Sequence, residues 1–180
     1  MFRDLKASEI ECRVSQVKEK GLMLLLYKDA RCDMTILDET VTPMNWDREH
    51  TSIKNNAYCG VTIRKQNAES GQIEQATKWD AGSESNTEAV KGEASDSFKR
   101  ACFNWGIGRE LYTSPFIWVK ASDVKLIDTG KKNKYGETVF KTYDKFYVSK
   151  VEITKKVITG LRINHATTRN PVFSWVKKEV

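Results

Sequence analysis

The stretch SNTEAVKGEASDSFKRACFNWG, from Ser85 to Gly106, is the part of the sequence that decides the fold. Ser85 and Glu88 form the S-x-x-E pattern of a capping box, and Gly106 is typical of the residue that ends a helix. The apolar residues between them recur at i, i+4, i+8, i+11 and i+15, which is one face of an α-helix. The stretch therefore predicts a long helix over 86–105, with an apolar face made by Val90, Ala94, Phe98, Ala101 and Trp105.

Three segments upstream of this helix have the composition and partial alternation of β-strands. Asn55-Asn56 and the segment from Asn67 to Gly71 separate them and have the chemistry of turns. The order predicts an antiparallel meander that packs on the long helix, and Gly92 is expected to let the sheet approach the helix closely. The predicted strands are Trp46 to Lys54, Tyr58 to Gln66 and Ile73 to Asp80.

The amino-terminal part is predicted to contain two helices and one strand. Ser8 and Glu11 form a second S-x-x-E pattern, which predicts a short helix through Val17. A turn from Lys18 to Gly21 then leads into a buried strand from Leu22 to Tyr27. A second helix is predicted from Ala30 to Thr40, and Pro43 ends it.

The last third of the chain is basic and rich in β-forming residues. From Lys120 onward there are 14 Lys/Arg against 6 Asp/Glu, whereas the first 119 residues have 16 against 18. A basic segment of this kind is suited to binding a polyanion, although a surface that merely keeps the protein soluble has the same composition. The basic segment from Thr129 to Gly136 is predicted to be a loop. The predicted strands are Phe116 to Val119, Val124 to Ile127, Val139 to Tyr143, Phe146 to Ile153, Val157 to Ile163 and Val172 to Val176.

The motifs of the commonest catalytic sites are missing from the sequence. It has no G-x-x-x-x-G-K-[ST] loop for a nucleotide, and Gly106-Ile-Gly108 is too short for a dinucleotide fingerprint. The strand carboxylates lack the spacing of a metal nuclease, and the four cysteines form no CxxC pair for zinc. We therefore expect no catalytic residue, no metal and no cofactor. The residues concerned are Glu74, Asp80, Glu137 and Glu152, and Cys12, Cys32, Cys59 and Cys102.

No apolar run reaches the length of about 18–20 residues that a membrane span needs. The first residues also lack the apolar stretch of a signal peptide. We therefore expect a cytoplasmic protein with no membrane partner.

The polar side of the long helix carries a line of cations. Lys91, Ser95 and Lys99 recur at i, i+4 and i+8, and Arg100 follows Lys99. Cations at this spacing can follow the phosphates of a nucleic acid strand, and a hydroxyl between them can donate to a phosphate oxygen. A solvated helix face has the same pattern, so composition alone leaves both interpretations open.

The long helix and its flanks resemble the Rad52/22 family of single-strand annealing proteins, especially the short bacteriophage branch. The family's A-V…D-x-x-K-R-A…G pattern is matched by Ala89-Val90, Asp96, Lys99-Arg100-Ala101 and Gly106. Ala30-Arg31, Pro43-Met-Asn-Trp46 and Thr77-Lys-Trp-Asp-Ala-Gly82 resemble further family segments. The resemblance covers residues 8–120 and is looser over 121–180.

The resemblance implies a β-β-β-α core that assembles into rings or helical filaments, with single-stranded DNA in a basic groove. It implies annealing without ATP in recombination and double-strand break repair. By position, Lys99 and Arg100 are the pair that contacts the DNA backbone, Lys91 and Ser95 are further contacts, and Arg31 lines the groove. Pro43 or Met44 stands where eukaryotic members have a tyrosine, so that contact cannot be transferred.

Together these observations predict an α+β fold and a single annealing domain over 1–180, with a core over 1–120 and a basic β-rich extension over 121–180. The expected partners are single-stranded DNA and further copies of the chain, with a single-stranded DNA-binding protein and an exonuclease as additional candidates. Two alternatives are a single-strand end protector that does not anneal and a metal-dependent nuclease.

The aromatic residues divide into two groups. Trp46, Trp79 and Trp105 are expected to pack in the core, because they lie beside apolar neighbours in strands or the helix. Tyr135 is the better candidate for contact with DNA, with Lys132 and Lys134 beside it in the predicted loop. An unoccupied solvent loop remains the alternative for this segment.

Overall fold

The computed structural model describes residues 1–54, 56–83 and 89–178, without the side chains of 89–91. These residues form two compact units, Met1–Asp4 with Asp29–Arg109 (the helical unit) and Leu5–Lys28 with Glu110–Val180 (the six-stranded unit). The elements in chain order are β1 Glu11–Lys18, β2 Gly21–Tyr27, α1 Ala30–Val41, β3 Trp46–Ile53, β4 Asn56–Gln66, β5 Ile73–Ala81, α2 Ala89–Trp105, β6 Ile117–Lys120, β7 Ile127–Lys132, β8 Thr138–Lys141, β9 Phe146–Thr154, β10 Val157–His165 and β11 Pro171–Val176.

The helical unit has the predicted meander packed on the predicted long helix. The sheet order is β3-β4-β5, both pairs are antiparallel, and α2 packs on β4 and β5. Phe98 and Ala101 of the apolar helix face are fully buried, and Gly106 ends the helix with φ +97°. The α+β class and this arrangement are therefore confirmed. The predicted capping residues Ser85 and Glu88 lie outside the described residues, as does Asn55 in the turn before β4.

Close packing between sheet and helix depends on a glycine at the end of β5. A Cβ on Gly82 would lie 2.1 Å from the backbone oxygen of Glu93 and 3.0 Å from the backbone nitrogen of Ser97. No side chain fits between these atoms, so the close approach of α2 to the end of β5 requires glycine at position 82. The prediction gave this role to a glycine in the helix, Gly92. The contact that the structure describes comes from the sheet.

The helix predicted from Ser8 to Val17 is wrong, because these residues form a short 3-10 turn and β1. Residues Cys12 and Val14 pair with Leu26 and Leu24 of β2 in an antiparallel hairpin. Glu9 of the turn accepts a 2.8 Å hydrogen bond from the backbone nitrogen of Lys6, so a local cap exists. It does not start an α-helix, because strand pairing buries alternate residues of the segment.

The six-stranded unit is an antiparallel sheet in the order β11-β10-β9-β1-β2-β6. Its edge strands β6 and β11 lie against each other, so the sheet is nearly closed. The core of this unit is apolar, and its residues come from both the early and the late part of the chain. They include Leu22, Leu24, Ile117, Val119, Val148, Ile158 and Ile163. Strands β1 and β2 thus share a sheet with strands that begin more than 90 residues later, which local sequence patterns do not predict.

Most of the predicted carboxy-terminal strands are present, with two corrections. No strand covers Val124 to Ile127, because the chain forms a 3-10 turn at Ala121–Asp123 and β7 begins at Ile127. The predicted loop from Thr129 is extended through Lys132, since these residues belong to β7. Only the segment 133–137 connects β7 to β8.

Candidate nucleic-acid interface

Aromatic contacts attach α2 to the amino-terminal end of the meander. The rings of Trp46 in β3 and Phe98 in α2 are stacked, with centroids 6.2 Å apart. At the central strand β4, Trp105 Nε1 donates a 2.9 Å hydrogen bond to the carbonyl oxygen of Val61. Both tryptophans are partly buried, as predicted. They fix the helix on one face of the sheet. We call the face that α2 covers the helix face and the opposite one the outer face.

Trp79 does not pack in the core, contrary to the prediction. It lies opposite Gly60 in the pairing of β4 with β5, and its ring fills the space that a side chain at Gly60 would need. The neighbouring residue Asp80 contacts α2, so Trp79 points to the outer face. Its side chain is 42% exposed there.

The two adjacent cations of α2 have different environments. Arg100 Nε donates a 3.1 Å hydrogen bond to Asp80 Oδ1, and Asn104, one turn later, donates to the other oxygen at 3.2 Å. Lys99 lies about 100° around the helix from Arg100. It is half-buried, and its side chain forms no hydrogen bond or ion pair in the described part of the chain. Lys99 therefore offers an uncompensated charge, whereas Arg100 shares its charge with Asp80.

The other predicted contacts of the helical unit are Ser95, Lys91 and Arg31. Ser95 lies one turn before Lys99 and is half-buried, so the two share a stripe of α2. The side chain of Lys91 lies outside the described residues. Arg31 is at the start of α1 with its side chain 90% exposed, and its guanidinium is 3.9 Å from Asp29. The backbone nitrogen of Arg31 also donates to Asp29, which caps the helix.

Two strand cations on the helix face were missed by the sequence prediction. The guanidinium of Arg48 in β3 lies 4.8 Å from the centroid of the Phe98 ring, and Lys78 Nζ in β5 lies 4.6 Å from that of Trp105. Lys78 also donates to the carbonyl oxygen of Asn104, and neither cation has an acidic partner within the described residues. The alternation of strand side chains was the available signal, since Trp46 and Arg48 are two residues apart.

His50 adds no charge to this face at neutral pH. It is two residues after Arg48 in β3 and so has the same orientation. Burial lowers the pKa of His50, and the nearby charge of Arg48 lowers it further. The positive charge of the face at pH 7 therefore comes from lysine and arginine.

The remaining predicted contacts, Lys132, Lys134 and Tyr135, belong to the six-stranded unit. They lie at the end of β7 and in the turn that follows it, and all three are exposed. Tyr135 is 76% exposed, and Lys134 Nζ lies 4.9 Å from the centroid of its ring.

The described residues include no group of three or more His, Cys, Asp or Glu side chains arranged to hold a metal ion. Burial raises the pKa of the Cys59 thiol to about 11 and that of Cys12 to about 12, so both thiols stay protonated at neutral pH. In the same part of the chain, no helix has the length and apolar character to cross a membrane.

The chain was compared with known protein families. The model of the Rad52/22 family double-strand break repair protein matches residues 9–127, about two thirds of the chain. The matched segment includes α1, the meander, α2 and the cations of the helix face, and it ends where β7 begins. A comparison with curated proteins finds no significant match.

Proposed function

The chain belongs to the Rad52/22 family of double-strand break repair proteins, and on that premise we propose that it binds single-stranded DNA along α2 and anneals complementary strands without hydrolysing a nucleotide. Family membership implies DNA repair through strand annealing in general. The specific site, the assembly and the biological setting are our proposals.

The observation that carries the proposal is that Lys99 on α2 has no acidic partner among the described residues, with Arg48 of β3 over the Phe98 ring of the same helix. Annealing requires that each strand is held by its phosphates while its bases stay free to pair. Lysine and arginine side chains contact phosphates without regard to sequence. Of the aromatic rings on this face, Trp46 and Phe98 pack against each other, Phe98 is fully buried, and Trp105 has Lys78 Nζ 4.6 Å from its ring centroid. Rings engaged in this way compete little with base pairing.

We propose that the active form is a homo-oligomer, either a ring or a filament. One helical unit offers Arg31, Arg48, Lys99 and Arg100, and so about four phosphate contacts, each weakened by physiological salt. Repetition of the same surface along one strand would multiply the contacts. Strands β3 and β5 have no further strand partner among the described residues, and they are almost entirely exposed. These edges are suitable positions for a neighbouring copy.

The biological setting completes the proposal. We place the protein in the cytoplasm of a bacterial host, encoded by a bacteriophage, where a single-stranded DNA-binding protein and an exonuclease would supply its substrate. An exonuclease exposes the complementary strands, and the annealing protein joins them.

The experiment that tests the function measures pairing of two fluorescently labelled complementary strands, each first coated with the protein. Annealing activity predicts that coated strands pair faster than naked strands, with EDTA present and ATP absent. An end protector would slow the pairing and shield the strands from added exonuclease. A nuclease would shorten the strands once magnesium or manganese is added. Coated strands that pair no faster than naked ones would contradict the proposal.

A further inference from the structure

The β7–β8 hairpin is a small sheet of its own within the six-stranded unit. Ile127 pairs with Lys141 and Lys132 with Thr138, and Thr129 Oγ1 donates a 2.6 Å hydrogen bond to the carbonyl oxygen of Val139. An isolated two-stranded hairpin is marginally stable in water. It therefore needs other contacts to hold one conformation.

Asn133 and Glu137 supply these contacts at the turn. Asn133 Oδ1 accepts hydrogen bonds from the backbone nitrogens of Tyr135 and Glu137, at 2.9 and 3.0 Å. Asn133 Nδ2 donates to Glu137 Oε2, and Lys18 Nζ in β1 lies 3.1 Å from the same oxygen. The hydrogen bond from Asn133 and, to a smaller extent, the one from Lys18 lower the pKa of the Glu137 carboxyl. The tip is thus ordered and attached to β1, unlike a loop that solvent alone surrounds.

The charge that the tip exposes is positive. Lys131, Lys132 and Lys134 form no side-chain hydrogen bond or ion pair within the described residues. Of the two carboxylates of the hairpin, Glu137 pairs with Lys18 of β1, whereas Asp128 accepts a hydrogen bond from the backbone nitrogen of Gly130 and keeps its negative charge. The three lysines therefore present a local concentration of charge that an anionic ligand would neutralise.

Two tyrosines, one at each end of the hairpin, are highly exposed. Tyr135 at the tip is 76% exposed and Tyr143, two residues after β8, is 70% exposed. Each ring has a lysine ammonium near it, Lys134 at 4.9 Å and Lys141 at 4.8 Å, and Lys141 also donates to the Tyr143 hydroxyl at 2.6 Å. Neither ring is needed for the core. Exposed aromatic rings among lysines are the surface on which unpaired bases stack while the cations neutralise their phosphates.

We propose that the β7–β8 hairpin, with Tyr143, is a second contact for single-stranded DNA and that it holds the strand by base stacking. The proposal rests on the proposed function and deepens it, because α2 would contact phosphates alone. Single-stranded DNA fits better than duplex, since the bases of a duplex are already stacked on each other. Apart from Ile127, the hairpin lies beyond the segment that the family model matches.

Such a contact has a direct consequence for annealing. A base that stacks on Tyr135 or Tyr143 is released when it pairs with the complementary strand. The hairpin therefore prefers unpaired DNA over the annealed product, and pairing weakens the hold on that product. The phosphate contacts at α2 do not distinguish unpaired bases from paired bases.

The test compares binding of a normal oligonucleotide with an abasic oligonucleotide of the same length, which has the phosphates without the bases. We expect the full-length protein to bind the normal strand more tightly, and the double variant Tyr135→Ala with Tyr143→Ala to lose at least about fivefold affinity for it, the effect of one stacked base. Affinity for the abasic strand is expected to stay unchanged. The matched control, Tyr135→Phe with Tyr143→Phe, keeps both rings and should retain the preference for bases.

Two outcomes would overturn the proposal. One is an alanine variant that loses equal affinity for normal and abasic strands. The other is an alanine variant that loses as much affinity for a duplex as for a single strand, which would assign the hairpin to duplex DNA. Lys99→Ala separates this test from the proposed function, because it should lower the affinity for the normal and the abasic oligonucleotide equally. Circular dichroism of each variant checks that the fold is intact.

Discussion

Arg100 Nε lies 3.1 Å from Asp80 Oδ1, so the arginine of the helix motif is held by an acidic residue of the neighbouring strand. Asp80 Oδ1 also accepts a hydrogen bond from the backbone nitrogen of Ala81, and Oδ2 accepts from Asn104. The position of Arg100 is therefore well defined. Its charge, however, reaches a phosphate only in competition with a carboxylate.

This competition predicts the effect of Asp80→Asn. Asparagine keeps an oxygen that can accept from Ala81, but it removes the negative charge, so single-stranded DNA should bind several-fold more tightly at low salt. The gain should diminish as salt is added. Affinity is measured by fluorescence anisotropy over a salt series.

Asp47→Asn is the matched control for this variant. Asp47 forms an ion pair with Arg64 in the same sheet but follows Trp46, so it lies on the outer face. Asp47→Asn changes the net charge by the same amount as Asp80→Asn and should alter the affinity for single-stranded DNA much less. A weaker Asp80→Asn complex would mean that Asp80 positions Arg100 for DNA instead of competing for it.

Lys99→Ala is expected to weaken binding of single-stranded DNA about tenfold, because it removes a cation of α2 that has no acidic partner among the described residues. The log–log slope of affinity against salt should become shallower by about 0.7, the loss of one phosphate contact. Lys177→Ala, at an exposed position just after β11 in the six-stranded unit, removes the same charge and is the control. Equal effects of the two variants would place the DNA elsewhere.

Gly82→Ala should destabilise the helical unit by about 2–3 kcal/mol, because the added methyl group cannot fit against the backbone of α2. The control is Gly71→Ala, where a Cβ meets nothing within 4 Å but φ is +70°. That change should cost only about 1 kcal/mol of left-handed backbone strain. Urea unfolding measures both. A Gly82→Ala protein as stable as wild type would show that the sheet and helix are not packed as described.

Truncation after Lys120 should prevent the six-stranded unit from folding. It removes β9, β10 and β11, three of the six strands, and it removes Lys156, which lies 3.8 Å from the fully buried Glu110. The other oxygen of Glu110 accepts from the backbone nitrogen of Leu5, so the carboxylate would remain buried without its cation. Rapid proteolysis within residues 5–28 is the expected result. Protection of that segment in the truncated chain would mean that β1 and β2 fold without the later strands.

The elements that sequence analysis predicted correctly are those defined by a pattern within one segment. The apolar periodicity through Phe98 gives α2, and turn residues separate the strands of the meander. The error at β1 arose because the Ser8 and Glu11 pattern is local, whereas the pairing of Val14 with Leu24 decides the conformation. A local signal cannot overcome burial in a sheet.

The same distinction applies to the site. Lys99 and Arg100 were predicted as DNA contacts because they are adjacent in a helix that resembles a known family. The pairing of Arg100 with Asp80, and the position of Arg48 over Phe98, join elements that are 20 and 50 residues apart in the chain. Such contacts depend on how β3 and β5 pair with β4. That strand register cannot be predicted from any single segment of the sequence.

The central claim is that copies of this chain hold single-stranded DNA by its phosphates at Lys99 and anneal it. The most direct measurement is the annealing rate of labelled complementary strands over a titration of wild-type and Lys99→Ala protein, with EDTA and no ATP. We predict that the wild-type rate rises steeply with protein concentration, as expected for an oligomer, and that Lys99→Ala needs about tenfold more protein for the same rate. A wild-type rate equal to that of naked strands at every concentration, or a Lys99→Ala titration that coincides with wild type, would contradict the account.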